Sequence, residues 1–224
     1  MRIPLGRLVE KRWLQVAVAL FAVEAASYFL LMYLPMSASQ VTSLSSQYSS
    51  ITQPILSKPD VLDKAYLIFS HNLLIASIEF VPALGWAFFG YSTYQTVELL
   101  HAIALSPSFY GGSIPPQLVV LSLFLLPHTW LELPAYAIAL TESLFVVRAA
   151  LRRGLASELR RAAAVYAFVA GELLVAAVFE STEITYPAEA LLTWLLALPL
   201  LGMVALAVKR GAVEPPQPAL PADG

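Results

Sequence analysis

Trp13–Leu34, WLQVAVALFAVEAASYFLLMYL, decides the fold. It is a continuous apolar run of the length that crosses a hydrocarbon core as a helix, ~20 residues. Glu24 is its one ionisable residue. Arg2, Arg7, Lys11 and Arg12 precede it, and Ser37-Ala38-Ser39 follows, the order found in a cleaved secretory signal. The run is nevertheless longer than the roughly 7–15 residues of a signal h-region, so it reads as a membrane span.

Working outward, the same texture recurs. The 224 residues are 58% hydrophobic and 12% charged, about half the charged fraction of a typical soluble domain, so a water-soluble globule is excluded. Cysteine is absent, which excludes disulfides, thiolate metal sites and thiol catalysis. The expected fold is all-α, a polytopic transmembrane helix bundle of about six spans.

The spans fall between punctuation marks. After Pro35 comes a Ser/Thr/Gln-rich stretch, about 37–63, read as a polar outer linker, with Val61–Phe69 starting a helix at the surface. The second run is Lys64–Phe80. The third, Pro82–Leu105, places Pro82 in a first helical turn. Ser106–Pro116 is a turn by composition. The fourth block, Gln117–Val147, is too long for one ordinary span and carries Pro127 and Pro134, each lacking a backbone donor. It predicts a Pro-broken fourth segment, either two half-helices or one kinked helix. An Arg-rich amphipathic connector, 148–161, leads to the fifth run, Ala162–Phe179, and the sixth, Ala188–Val208. Residues 1–12 form an N-terminal arm, 13–210 the transmembrane domain, and the Pro-rich 211–224 a disordered tail.

Orientation follows from the basic residues. With the N-terminus inside, eleven of the thirteen Lys and Arg fall on inside segments, leaving Lys58 and Lys64 outside. The expectation is a multi-pass protein of the cell membrane with both termini cytoplasmic, its turn at Val81-Pro82 uncharged. The lipid bilayer is the first partner, other membrane proteins are further ones, and a homo-oligomer is compatible with the pattern. No nucleic-acid partner is expected.

Ionisable residues inside spans are costly, and each is a functional hypothesis by default. Glu24, His71, Glu79, Glu98, His101, His128, Glu132, Glu142 and Glu172 all fall there. The sharpest local feature is Pro127-His128-Thr129-Trp130-Leu131-Glu132-Leu133-Pro134-Ala135. His128 and Glu132 are four apart and share a helical face, bracketed by prolines. Imidazole with carboxylate suits zinc or another divalent metal; the plainer reading is that both bond backbone groups freed around the break. The polar-core candidates are therefore His128, Glu132, Asn72 and Glu172. The candidate metal ligands are His71, His101, His128, Glu98 and Glu132. The zinc-protease pattern His-Glu-x-x-His is absent. Ala163, Ala167 and Gly171 form a small-residue ridge that suits close helix packing.

The Pro127-His128-x-x-x-Glu132-Leu133-Pro134-Ala135 segment resembles the stage II sporulation protein M family of bacterial and archaeal membrane proteins, whose members carry Pro-His-Gly-x-x-Glu-(Leu/Ile)-Pro-Ala. Asn72 stands where the family has an Asn in its second helix, and Pro82, Gly85 and Gly90 align with its glycine-rich third helix. The likeness spans roughly residues 60 to 205. Thr129 replaces the family's glycine, Phe89 the Asn of an Asn-Gly step, Ala139–Ser143 lacks the usual glycines, and His71 and His101 lie outside the pattern. The resemblance implies a membrane bundle around the Pro-His…Glu-Pro core. The family's namesake looks like a scaffold in a complex with peptidoglycan-remodelling partners.

Three functions follow from these readings. One is a non-enzymatic membrane scaffold or assembly component. Another is a transporter or channel for a small solute or ion that uses the buried His/Glu groups. The third is an intramembrane metalloenzyme, the one enzymatic reading.

Overall fold

The computed structural model describes residues 11–152 and 155–211, without the side chains of 156, 157 and 204–211. Most of the expected arm and all of the expected tail beyond residue 211 therefore lie outside the described residues. Within them the chain is entirely helical: α1 (Lys11–Leu30), α2 (Ala38–Leu56), α3 (Val61–Glu79), α4 (Leu84–Leu105), a single turn α5 (Pro107–Tyr110), α6 (Pro116–Phe124), α7 (Thr129–Leu151), α8 (Leu155–Thr185) and α9 (Trp194–Gly211). Four stretches are long and apolar enough to cross a membrane: Lys11–Tyr33, Val61–Glu79, Thr129–Leu151 and Glu158–Thr185.

α7 is the axis of the bundle. It packs against α8 on one side and α1 on the other, and α3 closes the space between α7 and α8. Its face is small and apolar where the neighbours approach, with Ala135, Ala137 and Ala139 fully buried.

Most of the polar stretch after Pro35, the expected outer linker, is helical and forms α2. Ser37 accepts from Gln40 N while the Gln40 side chain accepts from Ser37 N, a capping box that satisfies two otherwise free donors. Val41, Ser45, Tyr48, Thr52 and Ile55 then recur at helical spacing on the less exposed side of α2. That side lies along α4, where Ser45 Oγ donates to Ala102 O at 3.3 Å and Tyr48 stacks edge-on with Phe109.

Three further boundaries differ from expectation. Pro82 is not in the first turn of α4 but in the reversal before it. There Ala83 has φ +67° and Leu84 N donates to Pro82 O across a three-residue turn, a tight and strained form. Gly85 is buried where a Cβ would stand 1.9 Å from Glu79 O, so only glycine lets α4 start this close to the end of α3. The fifth run extends past Phe179 to Thr185, and the sixth opens as a tight 3-10 segment, Pro187–Thr193, before α9. Lys64, expected at the outer surface, is 6% exposed and donates Nζ to Thr185 Oγ1 at 3.0 Å. The Ala163–Ala167–Gly171 ridge packs on nothing within the described chain; all three residues are exposed.

Between Gln117 and Val147 the chain forms two unequal helices, α6 and α7, separated by Leu125–His128. Pro134 sits inside α7 without ending it. Side chains donate to the carbonyls at the separation: Thr129 Oγ1 to Leu123 O (2.8 Å), which Leu126 N also reaches, Trp130 Nε1 to Phe124 O (2.9 Å) and Trp194 Nε1 to Leu125 O (2.7 Å). A backbone break is tolerable away from water only with such replacements.

Candidate functional site

The separation between α6 and α7 aims His128 into the bundle. Its Nδ1 meets the Glu183 carboxylate on α8, and Glu183 in turn accepts from Thr193 Oγ1 at 3.1 Å. His128 and Glu183 are 7% and 4% exposed, so this is a buried histidine–carboxylate pair held from the far side by a hydroxyl. One turn along α7, Glu132 accepts from Tyr136 OH at 3.0 Å and faces Asn72.

His128, Glu132, Tyr136 and Asn72 line a cavity of about 440 Å³ between α1, α3, α4, α7 and α8, covered by α2. Its acidic wall is Glu24, Glu132 and Glu180, its imidazoles are His71 and His128, and Asn72 and Tyr136 add amide and hydroxyl groups. Ile51 and Ile55 of α2 and Leu67 and Leu100 supply apolar area. His71 and Ile51 are exposed and mark the mouth, between α3 and α2. Among the described residues no lysine or arginine lines it.

Acceptors outnumber donors here. Glu24 is 3% exposed and its Oε2 has no hydrogen-bond partner in the protein. Behind the wall Glu79, 1% exposed, accepts from Ser92 Oγ at 3.2 Å through Oε1, while its Oε2 is likewise unpartnered. Buried carboxylates without donors are costly unless a proton or a cation joins them.

The structure divides the residues singled out in the sequence. His71, Asn72, His128 and Glu132 meet at this cavity. Glu98 and His101 do not: they line a separate pocket of about 220 Å³ beside Leu34 and Gln40, where Glu98 accepts from Tyr94 OH at 2.6 Å. Thr93, Thr96 and Leu100 of α4 face the cavity, and Glu98 is two residues on from Thr96, about 200° around the helix. The five candidate metal ligands are thus split between two places, and among the described residues no group of three or more His, Cys, Asp or Glu converges as a metal site. Glu172 lies on α8 away from both pockets, with a buried, unpartnered Oε2. Glu180 and Glu183 were missed by the sequence reading because the apolar run stops at Phe179. Their i,i+3 spacing was the available signal.

A second polar cluster lies at the arginine-rich end of the bundle. Glu142 Oε2, on a residue with no exposed surface, accepts from Trp13 Nε1 at 2.9 Å and Arg161 Nη2 at 3.1 Å. Arg161 also meets Glu158 at 2.5 Å and lies 5.2 Å above the Phe145 ring. Ser143 Oγ donates to Val81 O at 3.2 Å, tying the α3–α4 reversal to the same end.

No curated protein and no solved structure shows significant similarity to the chain. A family match does exist and covers residues 16–183, from early in α1 to the carboxylate that holds His128. It begins earlier and ends earlier than the resemblance read from the motif. With most of its length matched and the Pro-His…Glu-Leu-Pro-Ala segment at the heart of its polar cavity, this chain belongs to the stage II sporulation protein M family.

Proposed function

We propose that this membrane protein binds a small organic cation in the α2-covered cavity and carries it across the bilayer. The observation behind this is the wall itself: three carboxylates, two imidazoles and no lysine or arginine among the described lining, around about 440 Å³. That volume is within the roughly 300–1,000 Å³ of small-molecule sites and far above what one metal ion fills. Carboxylates beside isoleucine and leucine suit an ammonium or guanidinium group on a short apolar body.

The membrane frame of the proposal has six crossings, with α4 and α9 joining the four long apolar helices, and both ends cytoplasmic. Arg148, Arg152 and Arg161 support this direction, since they gather at the end opposite α2. The α6–α7 pair is then a proline-broken fourth segment, an arrangement that many carriers use beside their binding sites.

Thermal unfolding of the detergent-purified protein against methylammonium, choline, putrescine and guanidinium tests the reading, with sodium and magnesium for contrast. Organic cations are expected to raise Tm in a concentration-dependent way that Glu132→Gln abolishes. Equal or absent responses to all of them would remove the basis for the carrier.

The second reading is a membrane scaffold that recruits other membrane proteins, favoured by the family's namesake role. It predicts that Glu132→Gln and Glu180→Gln leave cellular function intact, since neither side chain lies at an outer surface.

A further inference from the structure

Resting on the organic-cation reading above, we infer that His128 couples this cavity to protons, so that a bound cation and a proton on His128 exclude one another. The imidazole is a partition. Glu183 holds its Nδ1 from behind and is not part of the cavity wall, while the ring itself lines the cavity. With Nδ1 taken by Glu183, the second ring nitrogen is the one left to serve the cavity that His128 lines.

The groups around the ring define the charge balance. Glu183 and Glu180 face it from α8, Glu132 from one turn along α7, and Thr193 supports Glu183 from the 3-10 segment. Across the cavity stand His71 and Asn72 on α3 and Glu24 on α1. In this ring of acids the one positive charge available on the wall beside Glu132 and Glu180 is an imidazolium at position 128 or 71. His71 stands at the exposed mouth, whereas His128 is buried next to both carboxylates.

An ammonium group arriving between Glu132 and Glu180 occupies the same negative field as a protonated His128. Two like charges a few ångströms apart in a poorly hydrated cavity repel strongly. The proton therefore leaves the second ring nitrogen for water as the cation enters, and Glu183 keeps the neutral ring in place through Nδ1–H. Linkage makes the effect reciprocal: protonating His128 expels the cation. Charge in the cavity is conserved, one positive group replacing another, which is the requirement for cation–proton exchange.

The chain has three histidines, so 15N-histidine NMR in nanodiscs resolves them, with His71→Asn and His101→Asn assigning the other two. Methylammonium, choline, putrescine and guanidinium are titrated at several pH values, with released protons read by a dye in weak buffer. The expected result is a His128 signal that moves from the protonated to the neutral form as the cation saturates. Release approaches one proton per cation at low pH, and apparent Kd rises about tenfold per unit fall in pH below the range in which His128 titrates. His128→Gln should bind with no pH dependence. Should that variant fail to fold, Glu183→Gln, which keeps a hydrogen-bonding group behind the ring, should displace the pH profile instead. Saturable binding with an unmoved His128 signal and no proton release overturns the exchange while leaving the cation site standing. Absence of binding by every cation overturns both.

Discussion

Two glutamates on α7, the half-buried Glu132 and the buried Glu142, lie ten residues apart and have been given opposite surroundings. Glu142 has a cation of its own: Arg161 reaches it from α8, Trp13 donates from α1, and no surface remains exposed. Glu132 has hydrogen-bonding neighbours, Tyr136 and Asn72, but among the described residues no lysine or arginine lines the cavity on which it opens. The first arrangement joins three helices and holds a fixed counter-charge. The second leaves the counter-charge exchangeable. Burial of a carboxylate is thus not by itself a sign of function; what separates the two is whether the chain supplies the cation.

The contrast is broken most severely from the arginine end. Glu142→Ala takes the buried carboxylate from Arg161 and leaves it Glu158, nearer the surface, and chemical unfolding in mixed micelles should show a loss of about 3 kcal/mol. The double change Glu142→Leu with Arg161→Met should recover most of it, because apolar side chains then fill the site in place of a half-partnered charge. Gly85→Ala drives a methyl group into Glu79 O and should lower stability by about 1–3 kcal/mol in the same assay. Trp13→Phe removes one donor to a charged acceptor and should cost about 1.5 kcal/mol, read as a smaller shift of the unfolding midpoint. Glu132→Gln is the sharpening case: stability within about 1 kcal/mol of the parent, with organic-cation binding abolished. A Glu132 variant as unstable as Glu142→Ala would show that the two carboxylates are structural alike.

The sequence made one half of this comparison legible. The proline-bracketed His128 and Glu132 stand out because ionisable groups, helix breakers and apolar surroundings coincide in nine residues. Asn72 came with them through the family pattern. Glu180 and Glu183 did not, since α8 outlasts its apolar run and its last two turns look like loop by hydropathy. The polar composition of residues 37–57 likewise concealed α2, although Ser37 and Gln40 carry the spacing of a capping box. Glu98 and His101 were correctly placed on one helical face, but which face meets which neighbour depends on tertiary packing. Glu142 stood out in the sequence only as one more ionisable residue of a span, since Trp13 and Arg161, which enclose it, come from other helices.

The indole of Trp194 has a consequence for biosynthesis. It donates to Leu125 O from sixty-nine residues downstream. At a synthesis rate of about 5–20 residues per second, that donor emerges roughly 3–14 seconds after its acceptor. Within that interval α7 and α8 are themselves made, and the Leu125 carbonyl must make do with another donor. Thr193, the hydroxyl behind Glu183, arrives at the same moment. The contacts that Trp194 and Thr193 add to the break and to the His128–Glu183 pair are therefore among the late ones to form, and a chain that stops short of residue 193 would lack both.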